Sequence, residues 1–420
     1  MQKVKQFLFK NTNTKQTFIK NTFWLFVGEF GIRILKLIIF VYAARKLGVT
    51  EWGIFSYALA LMSFFNIISD IGLNSVLLRE TAKNNENKTK YISTGFFLKF
   101  GLSIIASLSL LSLVIFLKDG NAVKILIPIT AMLLFFDTMR EFGFSLNRAF
   151  EKMEIEAFIK IFATTVLVIL GFFFIQHEAR ASSLLYAYVI SSALGIIIMY
   201  SILRKNFKNL ISNFNKKLLI PIWKEAWPVG MAGALGTIMG SVDIIILGWF
   251  QTPDQIGLYS TAQKPVQMIY LLPILIGTAI LPAFSRYAVN DKEKMRSITK
   301  KMIRWSFLFT IPAVVLCLTI GGPIFILLFG EQYAGSIPIF KIMSFAIITS
   351  APGNIISKEI FALGKQKRLI QFIILSLIIN TILCLITIPH FGIYGAAISV
   401  TLAQTIGNLF LFRKYKKIIK

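Results

Sequence analysis

Charged residues are scarce in this chain, where they make up 15% of the 420 residues, against about 25% in a typical soluble domain. Hydrophobic residues make up 56% of the chain, and its mean hydropathy is +0.71. A chain with so few charges cannot cover a large apolar core with a polar surface. The composition therefore excludes an ordinary soluble protein and indicates an integral membrane protein.

Histidine and cysteine are also scarce, with two residues of each. His177 and His390 fall near predicted outer helix ends, which gives no support for a Ser-His-Asp arrangement or a paired-histidine metal site. Cys317 and Cys384 lie inside predicted membrane helices without CxxC spacing, so we expect packing roles and no disulfide or redox chemistry. The sequence lacks GxxxxGK(S/T), the motif of ATP hydrolysis. We expect no metal, no cofactor and no enzymatic activity.

Long apolar runs are what the sequence has in abundance. They have roughly the length needed to cross ~30 Å of hydrocarbon, and they exceed the ~10 residues of a barrel strand without its period-two alternation. The fold class they predict is an all-α integral membrane protein with twelve transmembrane helices. The predicted helix centres lie near residues 33, 65, 105, 135, 167, 193, 237, 270, 316, 348, 379 and 402.

The net charge of +26 would suit a nucleic-acid binder, but the positions of the basic residues indicate another cause. With twelve spans and both termini on one side, 33 of the 45 Lys and Arg residues lie on that side and five on the other. This asymmetry predicts a multi-pass membrane protein with both termini in the cytoplasm. The basic loops then contact anionic membrane lipids, and no nucleic acid is expected. Residues 1–20 are predicted to form a cytoplasmic arm, because they lack the apolar core and cleavage site of a secretory signal.

The chain also matches itself at a spacing of about 205 residues. The stretch GIFSYA at 53–58 returns as GLYSTA at 257–262, and AKNNENKTKYIS at 82–93 returns as AVNDKEKMRSIT at 288–299. Because six predicted helices separate the matches, both copies have the same orientation in the membrane. A third match, in the same order, joins LYAYVISSAL near residue 185 to IYGAAISVTL near residue 393.

The repeat predicts two six-helix lobes, one at 1–214 with the N-terminal arm and one at 215–420 with a basic cytoplasmic tail. Parallel repeats are an architecture of secondary transporters, which hold substrate between the lobes and alternate access by rocking. A duplication that serves only to build a large bundle would give the same pattern.

One stretch, ARKLGVTEWGIFSYALALMSFFNIISDIGLNSVLLRETAKN from Ala43 to Asn84, resembles the polysaccharide flippases of the multidrug/oligosaccharidyl-lipid/polysaccharide exporter superfamily, which include the O-antigen flippases. Its elements are an Arg and a Leu-Gly pair closing helix 1, a Gly-aromatic-Ser-Tyr opening of helix 2, and Asp-x-Gly-Leu near the inner end. A second stretch, FGIYGAAISVTLAQTIGNLFLF from Phe391 to Phe412, is similar to the closing helix of these proteins.

This resemblance implies a fold like that of the multidrug exporters of the superfamily and a flippase function in surface polysaccharide biosynthesis. The implied substrate is an undecaprenyl-diphosphate-linked oligosaccharide, moved without covalent chemistry from the inner to the outer leaflet of a bacterial cytoplasmic (inner) membrane. The implied protein partners are a polysaccharide polymerase and its chain-length machinery. A multidrug/cation antiporter of the same superfamily is the first alternative. A membrane-embedded glycan polymerase or ligase is less favoured, because the predicted outer loops are short.

Three charged residues, Glu29, Arg33 and Lys36, lie in the apolar stretch GEFGIRILKLIIF. On a helix Arg33 and Lys36 fall about 40° and about 20° either side of Glu29, so the three share one face. Each ionisable group costs about 2.5 to 3.5 kcal/mol at membrane depth, so this face should look into a polar cavity or at partners. Arg33 is the candidate for bidentate diphosphate binding, with Lys36 as a second cation and Glu29 neutralising the pair without substrate. The alternative is a structural Glu29–Arg33 salt bridge at i, i+4.

The second half of the chain offers a basic candidate and an acidic one. Lys264 stands next to Pro265, where a kink would open the helix towards a cleft, although a lysine snorkelling to the interface fits equally. Asp243 lies in an otherwise uncharged span and is a candidate for a coupling ion, H⁺ or Na⁺, or for a hydrogen-bonded packing residue. Asp70 is the other coupling candidate, with local capping or pairing to Arg79 as the alternative.

Further charges in the first half are predicted to compensate one another. Asp137, Arg140 and Glu141 have i, i+3 and i+4 spacing, which favours a self-contained network over a ligand site. Lys99 either faces a cavity or joins this network, and the sequence does not choose between the two.

Overall fold

The structure, a computed structural model, describes residue 9 and residues 11–83, 87–117 and 122–419. Every regular element in these ranges is a helix, as the composition predicts. The α-helices are α1 Thr14–Ser69, α2 Leu73–Lys83, α3 Lys88–Phe116, α4 Ala122–Ala149, α5 Met153–His177, α6 Ala181–Leu203, α7 Leu219–Phe250, α8 Pro253–Ile269, α9 Leu271–Asn290, α10 Lys292–Thr319, α11 Gly321–Phe329, α12 Ser336–Ser344, α13 Ala346–Ala362 and α14 Gln366–Ile419, with 3₁₀ turns at Lys216–Leu218 and Glu331–Tyr333.

Eight helical segments in the described part of the chain are long and apolar enough to cross a membrane. Large apolar side chains point outward from them, including Ile169, which is 61% exposed, and Leu108, which is 58% exposed. An apolar exterior of this kind suits hydrocarbon as the surrounding solvent. The number of twelve spans stays a prediction. Much of the predicted N-terminal arm, with Lys3 and Lys5, lies outside the described residues.

The longest helix, α1, changes direction at Gly48. This residue has φ 76° and ψ 176°, outside the helical region, and a residue with a side chain would be strained there. The break separates the stretch that carries Glu29 and Arg33 from the stretch GIFSYA that follows. The predicted helices 1 and 2 are therefore continuous in the chain apart from one glycine.

The chain forms two compact units. The first unit comprises Met1–Leu47 and Leu61–Ala234, and the second comprises Gly48–Ala60 and Leu235–Lys420. In the first unit α4 is central and packs against α2, α3 and α6; in the second unit α13 packs against α9, α10 and α14. The predicted lobes at 1–214 and 215–420 follow from the sequence repeat. The helix contacts do not test that repeat, so the two lobes stay a prediction. Cys317 and Cys384 are both buried as unpaired thiols.

Two matching stretches of the repeat lie side by side in the second unit. A Cβ atom on Gly53 would collide with the carbonyl oxygen of Pro253, and one on Gly257 would collide with the carbonyl oxygen of Val49. The two helix starts therefore approach backbone to backbone, which only small residues permit. Gly53 and Gly257 are the opening glycines of the matched motifs.

Replacing Gly257 with alanine is expected to lower the stability of the protein by about 1–3 kcal/mol, because backbone atoms must move to make room for the new methyl group. Gly236→Ala is a matched control in a helix, since a Cβ at that position meets no atom within 4 Å. The control should be neutral or stabilise by up to about 1 kcal/mol. Thermal unfolding of the purified protein in detergent measures both, and equal stability of the two variants would contradict the close approach.

Candidate functional site

Glu29 on α1 is bound by a residue from another helix. Its Oε1 accepts a hydrogen bond from Nζ of Lys160 at 2.7 Å, while the Arg33 guanidinium lies farther away, at 3.8 Å from Oε2. The pair expected between Glu29 and Arg33 is thus present but long. Lys160 is the main partner of Glu29.

Lys160 and Arg148 both bind Glu156, whose side chain is completely buried. Nε of Arg148 donates to Oε2 at 2.8 Å and Nη2 donates to Oε1 at 2.5 Å, and Nζ of Lys160 lies 2.9 Å from Oε1. The Lys160 ammonium also lies 5.2 Å from the centre of the Phe144 ring, within cation–π range. Two cations thus surround one buried carboxylate, and they connect α4, α5 and α1.

Arg33 and Lys36 are less constrained than their neighbours. The side chain of Arg33 is 39% exposed, and its only ion pair in the described part of the chain is the long contact to Glu29. Lys36 is exposed and has no hydrogen bond or salt bridge to any described residue, yet its ammonium lies within electrostatic range of Asp137 and Glu141. Both cations therefore lie on a charged face of the first unit rather than on a purely apolar one.

The charges of α4 divide into a pair and a single carboxylate. Arg140 and Asp137 form an ion pair at i, i+3, as the spacing predicts, and Ser192 on α6 donates to Asp137 at 3.0 Å. Glu141 makes no ion pair within the described part of the chain. The predicted self-contained network is thus confirmed for Asp137 and Arg140 but not for Glu141.

The cluster as a whole leaves two cations for one carboxylate. Three carboxylates have short contacts with cations, namely Glu29, Asp137 and Glu156. No short contact of this kind with a described residue is made by Arg33, Lys36 or Glu141. Two adjacent cations in an apolar stretch can bind an anionic group such as a phosphate, because the guanidinium presents two parallel donors.

Asp243 on α7 is 1% exposed and has three hydrogen bonds. It accepts from the hydroxyl of Tyr259, from Nε2 of Gln263 at 2.8 Å and from the backbone N–H of Ile244 at 2.9 Å. Lys264 lies within electrostatic range of the same carboxylate. The two candidates of the second half are therefore close together, and the ionised form of Asp243 is well supplied with donors.

Asp70 caps the start of α2, as one of its two alternatives predicts, and its second partner was not expected. Its Oδ1 accepts from the backbone N–H of Asn74 at 3.2 Å, which caps the start of α2, and lies 3.5 Å from Nζ of Lys99. The expected pairing with Arg79 is wrong, because Arg79 instead contacts Glu80 and Glu225. Glu225 lies on α7, and the sequence alone does not predict that α7 packs near Arg79.

Lys99 has a partner that neither of its two interpretations included. Its side chain is 1% exposed, and Nζ donates to the backbone oxygen of Ser69 at 2.9 Å. The last turn of α1 leaves this carbonyl without a helical partner. Lys99 is therefore tied to the end of α1 and is not available to a ligand.

Sequence reasoning missed Lys160, Glu156 and Tyr259 as members of these sites. Lys160 lies inside α5. The i, i+4 spacing of Glu156 and Lys160 in MEIEAFIKIF was an available signal. No group of three metal-ligating side chains occurs among the described residues.

Comparison with known proteins gives the chain a family. A family model described as polysaccharide biosynthesis protein matches residues 18–288, which confirms the resemblance found in the sequence. Among curated proteins, a "Probable low-salt glycan biosynthesis flippase" of Haloferax volcanii is 24% identical over 90% of this chain and 79% of its own length. A capsular polysaccharide biosynthesis protein of Staphylococcus aureus is 21% identical over 95% of this chain and all of its own length.

A solved structure shares the fold. The inward closed conformation of the lipid II flippase MurJ matches with a TM-score of 0.78 and 20% identity, over 93% of this chain and 87% of that one. At this identity the likeness concerns the fold alone. The all-helical membrane fold expected from the sequence agrees with this likeness.

Proposed function

The chain belongs to the family of polysaccharide biosynthesis proteins, and we propose that it is a flippase. Its substrate is a polyprenyl-diphosphate-linked oligosaccharide repeat unit, carried on undecaprenol. The protein moves this substrate by alternating access from the inner to the outer leaflet of the bacterial cytoplasmic membrane, with both of its own termini in the cytoplasm. The similarity to a probable glycan biosynthesis flippase of Haloferax volcanii and to the fold of a lipid flippase supports the proposal.

The physical problem of such transport is the polar headgroup. Sugar hydroxyls and a diphosphate lose their water in hydrocarbon, where an unpaired polar group costs several kcal/mol. A protein that offers charged and hydrogen-bonding groups at membrane depth removes this cost while the prenyl tail stays in lipid. No covalent bond is made or broken.

The observation that carries the proposal is the binding of Glu29 by Lys160. Because Lys160 takes the short contact at 2.7 Å, the Arg33 guanidinium is left with a contact of 3.8 Å. Arg33 and Lys36 then share one helix face as cations available to a diphosphate. In this role Glu29 positions the cations, and Lys264 supplies a basic group of the second unit.

The direct test is transport by the wild-type protein in proteoliposomes. A purified undecaprenyl-diphosphate oligosaccharide is placed in one leaflet, and its appearance in the other is followed with a sugar-modifying enzyme that cannot cross the membrane. Transport above that of protein-free vesicles supports the flippase. Export of cationic drugs with no glycan-lipid transport would replace the proposal by the multidrug antiporter.

Asp243 is our candidate for ion coupling, because a buried carboxylate near the cation Lys264 can exchange a proton or bind Na⁺. Asp70 is a weaker candidate, since it caps α2 and contacts Lys99. We propose that uptake of the ion changes the hydrogen bonds between Asp243 and the α8 residues Tyr259 and Gln263.

Asp243→Asn should therefore lose the dependence of transport on an imposed Na⁺ or proton gradient, because the amide keeps the shape but carries no charge. Tyr259→Phe removes one donor and retains the carboxylate, so its transport should still respond to the gradient. Transport rates with and without each gradient measure the effect in both variants. An Asp243→Asn protein that responds like wild type would show that the carboxylate only packs α7 against α8.

A further inference from the structure

The second unit contains a cavity of about 310 Å³ between its own helices. This is within the lower range of small-molecule sites, which measure roughly 300 to 1,000 Å³. The described residues that line it do not include Asp243 or the hydrogen-bond partners of Asp243. None of the lining residues has a role in the proposed function. The lining residues are Met239, Tyr270, Pro273, Ser350, Gly353, Asn354, Ser357, Phe372, Gln404 and Asn408.

The polar lining comes from two helix faces. On α13, Ser350, Asn354 and Ser357 have i, i+4 and i+7 spacing and so lie along one stripe. On α14, Gln404 and Asn408 have i, i+4 spacing on the opposing face. A run of five amide and hydroxyl side chains facing one another is unusual in a membrane protein, where each polar group needs a partner.

The hydrogen bonds of this cavity are incomplete. Oε1 of Gln404 accepts hydrogen bonds from the Tyr270 hydroxyl at 3.0 Å and from Ser350 at 3.3 Å. The amide NH₂ of Gln404 has no hydrogen-bond partner among the described residues. The half-buried side chain of Asn354 has no hydrogen bond at all to the described part of the chain. Polar residues that only hold helices together bond to each other, and the Asn354 amide does not.

The chemistry of the lining selects the ligand class. None of the described residues that line the cavity is Lys, Arg, Asp or Glu, so no lining side chain among them compensates the charge of a phosphate or another ion. Amides and hydroxyls both donate and accept, as a polyhydroxyl ligand requires. Phe372 and Met239 add an apolar surface on which the CH groups of a sugar ring can rest.

We propose that this cavity is a carbohydrate subsite, in which the Asn354 and Gln404 amides bind hydroxyl or acetamido groups of an uncharged sugar of the glycan. The subsite rests on the proposed flippase function, and it assigns sugar recognition to the second unit and diphosphate recognition to Arg33 and Lys36 of the first. A site built to bind hydroxyl groups rejects ligands that lack them, because its buried polar groups then stay unpaired.

The test is equilibrium binding to the full-length protein in nanodiscs. The probes are synthetic prenyl diphosphates bearing glucose, galactose, N-acetylglucosamine or a disaccharide of these, together with the same prenyl diphosphate without sugar. The wild type should bind at least one sugar-bearing probe about tenfold more tightly than the sugar-free probe, as expected for a few new hydrogen bonds. Asn354→Leu is the main variant, since its amide has no hydrogen-bond partner to lose in the described part of the chain, and Gln404→Leu is the second.

The increment is the additional binding affinity that the sugar provides. Both variants should lose this increment and retain the affinity for the sugar-free probe. Thr405→Val is the matched control, because it removes a hydroxyl from the same helix outside the cavity lining and should retain the increment. Equal wild-type affinity for sugar-bearing and sugar-free probes, or an increment that survives Asn354→Leu, overturns the subsite and leaves the flippase proposal standing. A wild type that binds neither kind of probe overturns both.

Discussion

Arg33→Ala is expected to reduce transport of a diphosphate-linked oligosaccharide by about tenfold to a hundredfold, the equivalent of one strong charge-assisted interaction of roughly 1.5–3 kcal/mol. The fold should stay intact, because the side chain is 39% exposed and its contact with Glu29 is 3.8 Å long. Initial transport rates in proteoliposomes, normalised to inserted protein, measure the effect. The loss should be as large for the sugar-free prenyl diphosphate, since the contact is to the phosphates.

Two companion variants make this result specific. Arg33→Lys keeps the charge but loses the planar pair of donors, so it should fall between wild type and alanine. Arg180→Ala removes an exposed arginine whose contact with Glu178 is 3.0 Å, and it should transport like wild type. If Arg33→Ala also retains wild-type transport, then the charged face of α1 is structural and the diphosphate must bind elsewhere.

Glu156→Gln should destabilise the protein by about 1.5–3 kcal/mol, because Arg148, whose side chain is 36% exposed, loses its charge-assisted hydrogen bonds. Here two cations lose their common partner, since Arg148 and Lys160 both bind this carboxylate. Lys160 would keep Glu29, while Arg148 has no second carboxylate within bonding distance among the described residues. Thermal unfolding in detergent measures the loss.

The control for this second result is Glu178→Gln. Glu178 is also paired with an arginine, but its side chain is 57% exposed, and exposed pairs contribute about 0–1 kcal/mol. The control should therefore unfold close to the wild type. An equally small effect of Glu156→Gln would show that water reaches the cluster and that Arg148 and Lys160 do not depend on the buried carboxylate.

Hydropathy and local spacing were sufficient to predict several features of this protein. The apolar runs predicted membrane helices, the motif between Ala43 and Asn84 gave the family, and the spacing of Asp137 and Arg140 gave an ion pair that is present. These properties depend on residues a few positions apart, and helix geometry alone brings such residues together.

The sequence determined the solvent, the helical class and the family of this protein, because composition and short motifs act locally and need no knowledge of packing. Only the tertiary structure decided which groups the charged side chains contact. Lys160, 131 positions away in the chain, makes the short contact to Glu29, and Lys99 donates to the backbone oxygen of Ser69. A charge at membrane depth gains from pairing with an opposite group, and which group lies near it depends on how the helices pack.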